Sequence, residues 1–318
     1  MTIDSCYLVK RPKSNIIYKG ECENYLSKTS LFPDNSIDLI ITSPPYADRR
    51  EKSYGGIKPE KYVEWFLPIS VQLYRILKPK GSFILNIKEN VKNGERQTYV
   101  LELILALKRH RWLWVEEYCW YKKNSYPGKW PNRFRDTWER CLHFTKQKKF
   151  KMYQDGVKVP MGDWKKPRFK SLSEKDFIRS ISGTDSHFGR KVSNWLNRRK
   201  VYPHNVVVFE KEHFIEPETV IHFATECSNR NHSAVFPIEL PSWFIKLLTK
   251  KGDVVLDPFI GAGTTAIAAI LLERSYVGIE LVPEYAKVAE KNIRELQGIR
   301  KRLKSKSKEP GNIINRGR

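Results

Sequence analysis

The sequence predicts an α/β fold, a mainly parallel sheet with helices on both faces, interrupted by an inserted basic region. Three observations carry this. Short apolar runs alternate with stretches of helical periodicity toward both ends of the chain, the order from which parallel sheets covered on both faces are built. Some of these runs stop abruptly on polar or turn-forming residues, where open α/β sheets bind ligands: Ser43-Pro44-Pro45-Tyr46 ends one, and Asp257 ends another just ahead of Gly261 and Gly263. Between the two lies a long stretch of weak periodicity in which residues 121–200 hold 22 Lys and Arg against 7 Asp and Glu.

In chain order, Ile16, Ile17 and Tyr18, closed by Gly20, form the first strand, and the turn-like Pro33-Asp34-Asn35 opens a second over residues 36–42. Tyr62, Val63, Phe66, Ile69, Leu73, Ile76 and Leu77 recur at helical spacing, so a helix spans 59–77, with Pro59 in its first turn and Lys78-Pro79-Lys80-Gly81 as its stop. Pro68 lies inside it and predicts a kink or a split. A strand over 82–87, an apolar helix over 98–107 and strands over 112–121 and 138–145 complete a first half, residues 1–145.

From about residue 146 to about 229 the pattern dissolves, and only Val206-Val207-Val208-Phe209 reads as a strand. Regular order returns over 230–298: a helix at 239–248, a strand at 253–256, an alanine-rich helix at 264–272, a strand at 276–279 and a helix at 283–296. The basic stretch 299–318, rich in Ser, Gly and Asn, reads as a disordered tail attracted to phosphate.

Composition narrows the function classes. The 318 residues carry 58 Lys and Arg against 35 acids, a formal net charge of +23, which points to a polyanionic partner, most commonly nucleic acid. No apolar run reaches the roughly 18 residues a membrane span needs, and no basic amphipathic helix stands out for a membrane surface. The five cysteines are scattered without a C-x-x-C pair, which argues against disulfides and structural zinc and for a reducing cytoplasm. The seven histidines show no metal-ligand spacing, so no metal is expected.

Val254 to Thr265, "VVLDPFIGAGTT", is a strand, a glycine-bearing turn and a helix start, a combination that brings backbone N–H groups close to a ligand. Glu280 ends the next strand, the place for an acid that grips ribose hydroxyls. A Walker-type loop needs a lysine after the glycines, and Gly263-Thr264-Thr265 has none. Spacing alone leaves a nicotinamide dinucleotide open. Asp257 at the loop entrance, however, repels a pyrophosphate and suits a cationic group such as the ammonium of S-adenosylmethionine.

"DPFIGAGTT" together with "TSPPY" resembles the amino-methylating DNA methyltransferases. The order of catalytic motif, basic region and cofactor loop is similar to their circularly permuted class beta. "HSAVFPIELPSWFIKLL", residues 232–248, resembles the family's additional cofactor motif, and "YRILKPKGSFIL" and "CWYKKN" also look like family segments. The resemblance implies a Rossmann-like S-adenosylmethionine-dependent methyltransferase sheet and duplex DNA as substrate. It implies cofactor contacts from Asp257, Pro258, Phe259, Gly261, Gly263, Thr264, Glu280, Phe236, His232 and Glu21, the last standing where relatives usually have aspartate. It further implies that residues 146–229 read the target sequence, and that a nuclease acting on the same site accompanies the enzyme in a restriction system. Monomer and homodimer both stay open.

The implied chemistry explains the proline pair. An exocyclic amine is a poor nucleophile because its lone pair is delocalised, and acceptors for both of its hydrogens return density to nitrogen. The Ser43 hydroxyl and the Pro44 carbonyl are such acceptors, stiffened by Pro44 and Pro45. Tyr46 offers a face to a base flipped out of the duplex, and Arg49, Arg50 and Lys52 lie where flanking phosphates could be held. Attack at ring carbon five would need a Pro-Cys nucleophile, which the sequence lacks. A serine start leans to cytosine N4 over adenine N6. An RNA methyltransferase and a DNA-binding protein without turnover are the remaining readings.

Overall fold

The computed structural model describes residues 11–48, 55–122, 132–134, 136–160, 199–209 and 236–306. They divide into two compact units, residues 1–152 with 205–318, and Tyr153–His204. The second unit lies inside the stretch 146–229 in which the sequence pattern dissolves.

The first unit is built on an eight-stranded sheet. Its strands are β1 (Ile16–Lys19), β2 (Ile37–Thr42), β3 (Leu77–Ile87), β6 (Leu113–Tyr121), β7 (Trp138–Thr145), β10 (Val206–Val208), β11 (Val254–Asp257) and β12 (Ser275–Glu280). The spatial order is β1-β12-β11-β2-β3-β7-β6-β10. Only β7 runs against the others, paired antiparallel with β3 on one side and β6 on the other. A small hairpin, β4 (Val91–Lys92) with β5 (Glu95–Arg96), follows β3. In the second unit β8 (Val159–Pro160) pairs with β9 (Lys200–Val201), which joins the two ends of that insertion.

Helices cover both faces. On one, α1 (Cys22–Leu26), α2 (Pro59–Ile76) and α3 (Tyr99–Arg109) bury Leu26, Tyr62, Phe66, Leu73, Leu103 and Leu107 against Phe83, Leu85, Leu256 and Ile279 of the sheet. On the other, α4 (Glu239–Leu248) packs on β2, β3 and α5 (Thr264–Leu271), while α6 (Pro283–Lys306) packs on α5, β1 and β12. The alternation of side chains along a strand sends Asp257 and Glu280 to the face opposite Leu256 and Ile279.

The sequence pattern does not mark α1 or the β4–β5 hairpin, and β3 begins at Leu77 rather than at residue 82. Three further differences have a local reason. α2 runs unbroken through Pro68. Pro68 and Glu64 are both exposed, so the carbonyl that loses its N–H partner can turn to water, while Phe66, Ile69 and Leu73 hold the helix to the core. The strand over 206–208 joins the main sheet as its edge, beside β6, rather than the basic insertion. The last helix continues to Lys306, eight residues into the stretch read as a disordered tail. Lys and Arg are good helix formers, and the Arg300 guanidinium donates to the Ile270 carbonyl at the end of α5, tying the extension down.

β2 is buried along its whole length and is braced at its start by Asp38. That carboxylate accepts from the Val254 N–H at 3.1 Å and from Lys78 Nζ at 2.6 Å, with Lys151 Nζ at 3.4 Å, so one side chain links β2 to both neighbouring strands. Because both lysines reach solvent, their share is screened. Asp38→Ala is expected to lower stability by about 2 kcal/mol, chiefly through the unpaired Val254 N–H. The urea unfolding midpoint measures it, and an unchanged midpoint refutes the brace.

Candidate functional site

The two motifs that are 211 residues apart in the chain, Thr42-Ser43-Pro44-Pro45-Tyr46 and Asp257 to Gly263, meet at the carboxyl edge of adjacent parallel strands, β2 and β11. The link is direct. Thr42 Oγ1 donates to Asp257 Oδ1 at 2.6 Å, and Thr265 Oγ1, from the first turn of α5, donates to Oδ2 at 2.6 Å. The Phe259 N–H adds a third bond at 3.1 Å. The Asp257 carboxylate is therefore filled by the chain's own donors and clamps strand, loop and helix. Burial pushes its carboxyl up to about 6 against these bonds, which pull the other way.

Glu280 does for the far side of the loop what Asp257 does for the near side. Its Oε2 accepts the Gly261 N–H at 2.8 Å and its Oε1 the Val282 N–H at 2.9 Å. The three glycines around it serve different needs. Gly263, at φ +91°, precedes α5, and a Cβ there would lie 2.9 Å from the Ala289 Cβ of α6. Gly278 in β12 leaves room for Ile260, whose side chain would meet a Cβ at 2.4 Å. Gly261, at φ +54°, has nothing within 4 Å of its Cβ position and so faces open space. Thr264 opens α5, Phe259 stands beside Trp65 at 5.8 Å between ring centroids, and partly buried Phe236 precedes α4. Glu21 is exposed just beyond β1, next to Gly20, whose N–H donates to the Glu280 carbonyl at 2.8 Å.

Next to this cradle stands the proline pair. Pro44 is buried and Ser43, Pro45 and Tyr46 are half-buried. The Pro45 carbonyl is fixed by the Tyr62 hydroxyl of α2 at 2.9 Å. Ser43 Oγ lies 3.3 Å from the Tyr46 hydroxyl, and that hydroxyl donates to Glu139 Oε2 of β7 at 2.8 Å. Asn86, at the end of β3, donates its amide to the same Glu139 oxygen at 3.2 Å and to the Arg140 carbonyl at 3.1 Å. Lys122 Nζ pairs with the other Glu139 oxygen. Burial and the Glu139 charge hold the Tyr46 phenol well above its ordinary range, so it remains a hydroxyl at any working pH.

Of the residues singled out in the sequence, Ser43, Pro44, Pro45, Tyr46, Asp257, Pro258, Phe259, Gly261, Gly263, Thr264, Glu280 and Glu21 fall at or beside this one edge of the sheet, and Phe236 lies three residues before α4. Arg49, Arg50, Lys52 and His232 lie outside the described residues. Sequence reasoning missed Thr42, Asn86, Lys122, Glu139 and Thr265. A polar residue ending an apolar run was the available signal for Thr42 and Asn86. Nothing local marks Glu139, which reaches the site only through the β3–β7 pairing. Among the described residues no group of histidine, cysteine and acidic side chains could hold a metal ion, and no helix is long and apolar enough to cross a membrane.

This arrangement, a Rossmann-like sheet with the proline motif and the glycine loop on one edge, is that of a class beta methyltransferase fold. A family model described as DNA methylase, of the N6/N4 methyltransferases, matches residues 37–291, and the chain belongs to that family. It is 29% identical over 269 residues to the Type II methyltransferase M.PvuII of Proteus hauseri, covering 80% of this chain and 77% of that protein. The solved PvuII DNA methyltransferase, described as cytosine-N4-specific, superposes with a TM-score of 0.61 at 23% identity over 88% of this chain and 86% of that one. The M1.HpyAVI complex with S-adenosylmethionine superposes at 0.54 and 19% identity, over 87% and 98% of the two chains.

The raised Asp257 carboxyl has a consequence for stability. The folded state holds its proton up to about 6, whereas the unfolded chain releases it near 3.8. The group's relative contribution is therefore most favourable below 3.8 and is lost as pH rises through about 6. Asp257→Asn removes the titration. Urea unfolding across that window should show the wild type losing up to about 3 kcal/mol relative to the variant, and parallel pH profiles would show that burial does not govern this carboxyl.

Proposed function

We propose that this protein transfers a methyl group from S-adenosylmethionine to the N4 amine of a cytosine flipped out of duplex DNA. The observation that carries the reading is the Thr42–Asp257 hydrogen bond, which holds a rigid acceptor motif next to a glycine cradle. The residues fit the donor: Gly261 faces open space between two acid-braced strand ends, with aromatic Phe259 and Phe236 and the exposed Glu21 available to an adenine, while Glu280, both of whose oxygens accept from the chain, holds the loop that receives the donor. Asp257, Pro258, Gly263 and Thr264 shape that cradle. His232 belongs with them by the sequence motif. The donor supplies an electrophilic methyl on a sulfonium centre.

The chain's own part is to bind, orient and exclude. Ser43 Oγ and the Pro44 carbonyl accept the two amine hydrogens, which favours lone-pair density on the nitrogen, and the fixed motif aims that nitrogen at the cradle. Tyr46, anchored by its hydroxyl, offers a ring whose stacking offsets part of the cost of extruding the base. The basic region 146–229 supplies sequence recognition and phosphate contacts, with Arg49, Arg50 and Lys52 serving the phosphates beside the flipped nucleotide. The small serine acceptor and the cytosine-N4 description of the PvuII relative favour cytosine over adenine. A cytoplasmic role protecting DNA from a nuclease of the same specificity accords with the Type II name of that relative.

Incubation of unmodified duplex DNA with the protein and methyl-labelled donor should give N4-methylcytosine in nuclease digests. N6-methyladenine alone overturns the base, and label in RNA but not DNA overturns the substrate. Ser43→Ala should slow transfer about 100-fold or more, and Tyr46→Ala should weaken it while donor binding by calorimetry stays intact. Full activity in both variants would refute the site.

A further inference from the structure

We infer that Glu139 is a positioning residue that sets the hydrogen-bond polarity of the acceptor site through Tyr46 and Ser43. The inference rests on the proposed amine methylation and names the group that makes the site select an amine. It follows from counting protons along the chain of contacts. Glu139, paired with Lys122, is an acceptor only. The Tyr46 hydroxyl has one hydrogen, and at 2.8 Å from Glu139 Oε2 it gives that hydrogen to the carboxylate. Its oxygen then accepts from Ser43 at 3.3 Å. Ser43 has now spent its only hydrogen, so toward the open side its oxygen can only accept.

Asn86 is set by the same carboxylate. With its amide N–H groups committed to Glu139 Oε2 and the Arg140 carbonyl, its Oδ1 turns toward the Tyr46 hydroxyl, 3.4 Å away. The hydrogens of Ser43 and Tyr46 thus run inward along the chain of contacts to Glu139, the Asn86 amide hydrogens are held by Glu139 and the Arg140 carbonyl, and Ser43 meets the open side as an acceptor. Such a site welcomes a base that presents an NH2 group and repels one that presents a carbonyl in its place, which separates cytosine from thymine or uracil. A neutral amide at 139 can donate as well as accept, and it releases Tyr46, Ser43 and Asn86 to turn either way.

A double-mutant cycle tests this. Wild type, Glu139→Gln, Tyr46→Phe and the double variant are compared for methyl transfer to unmodified bacteriophage duplex DNA, with Tm and donor binding as controls on folding. Each single variant should lower kcat by at least about tenfold with KM for DNA within about twofold. The double variant should be no slower than the slower single, because both break one chain. Losses that multiply, or a Glu139→Gln enzyme at wild-type kcat, overturn the inference. Should Glu139→Gln lose its fold to the orphaned Lys122, Glu139→Gln with Lys122→Met removes that cation, and the same cycle is run on it with the same criteria. A wild type that methylates no DNA overturns the proposed function itself, whereas methylation with additive losses overturns the polarity alone.

Discussion

The short hydrogen bond between Thr42 and Asp257 is the constraint on which the rest of the structure depends. A strand-end threonine and a strand-end aspartate face each other across two parallel strands, and each belongs to a different functional motif. The β2–β11 ladder sets the register of the two strands, and this bond carries it past their ends into the proline pair and the glycine loop. With it, the distance between acceptor site and cradle is set by the spacing of neighbouring strands, about 4.8 Å, and by side chains that cannot reorient in a buried site. At the other end of β2, Asp38 pins the same strand to β3 and β11, so the motif is carried on an element fixed at both ends.

Electrostatic design on this edge is economical. Three buried acids, Asp257, Glu280 and Glu139, are spent on the protein's own donors. Each holds a segment that would otherwise be loose: the start of the loop, its glycine turn, and the tyrosine of the proline motif. Beside the ligand contact expected of it, Asp257 has a coupling role, since both of its oxygens accept from the chain at hydrogen-bond distance. Its negative charge still acts through space on a cation placed nearby in a medium of low dielectric. Contact and field are separate effects, and only the first requires a free oxygen.

The legible part of the sequence was whatever local pattern encodes. Apolar runs and helical spacing gave the main strands and the longer helices of the first unit, but not the five-residue α1 or the two-residue strands of the β4–β5 hairpin, which are too short to show a period. Two motifs with unusual residues, prolines after a strand and glycines before a helix, gave the edge on which the site lies. Glu139, Lys122 and Asn86 were hidden because their importance comes from strand pairing. In isolation "WERCLHFT" is a half-buried strand with one acid, and only the antiparallel register of Asn86 with Cys141 and of Ile87 with Arg140 brings that acid under Tyr46. The strand at 206–208 was misplaced for the same reason: three valines announce a strand but not its neighbour. The length of α6 was misjudged for a different one, since a basic composition suits both a solvated helix and a disordered tail, and a single tertiary contact at Arg300 separates them.

β7 deserves its antiparallel direction for a functional reason as well as a topological one. A sheet of parallel strands lines its binding edge with carboxyl ends, so all the polar residues there follow apolar runs. A reversed strand brings its amino end to that edge instead, and Trp138, Glu139 and Arg140 arrive before the apolar run of Cys141, Leu142 and Phe144. The reversed strand can therefore supply a buried acid from beneath the site, where a parallel strand would already have left the core. Pairing with β3 on one side and β6 on the other then gives that acid its two polar neighbours, Asn86 and, from just beyond the end of β6, Lys122. The one exception to the parallel pattern is what places a charge behind Tyr46.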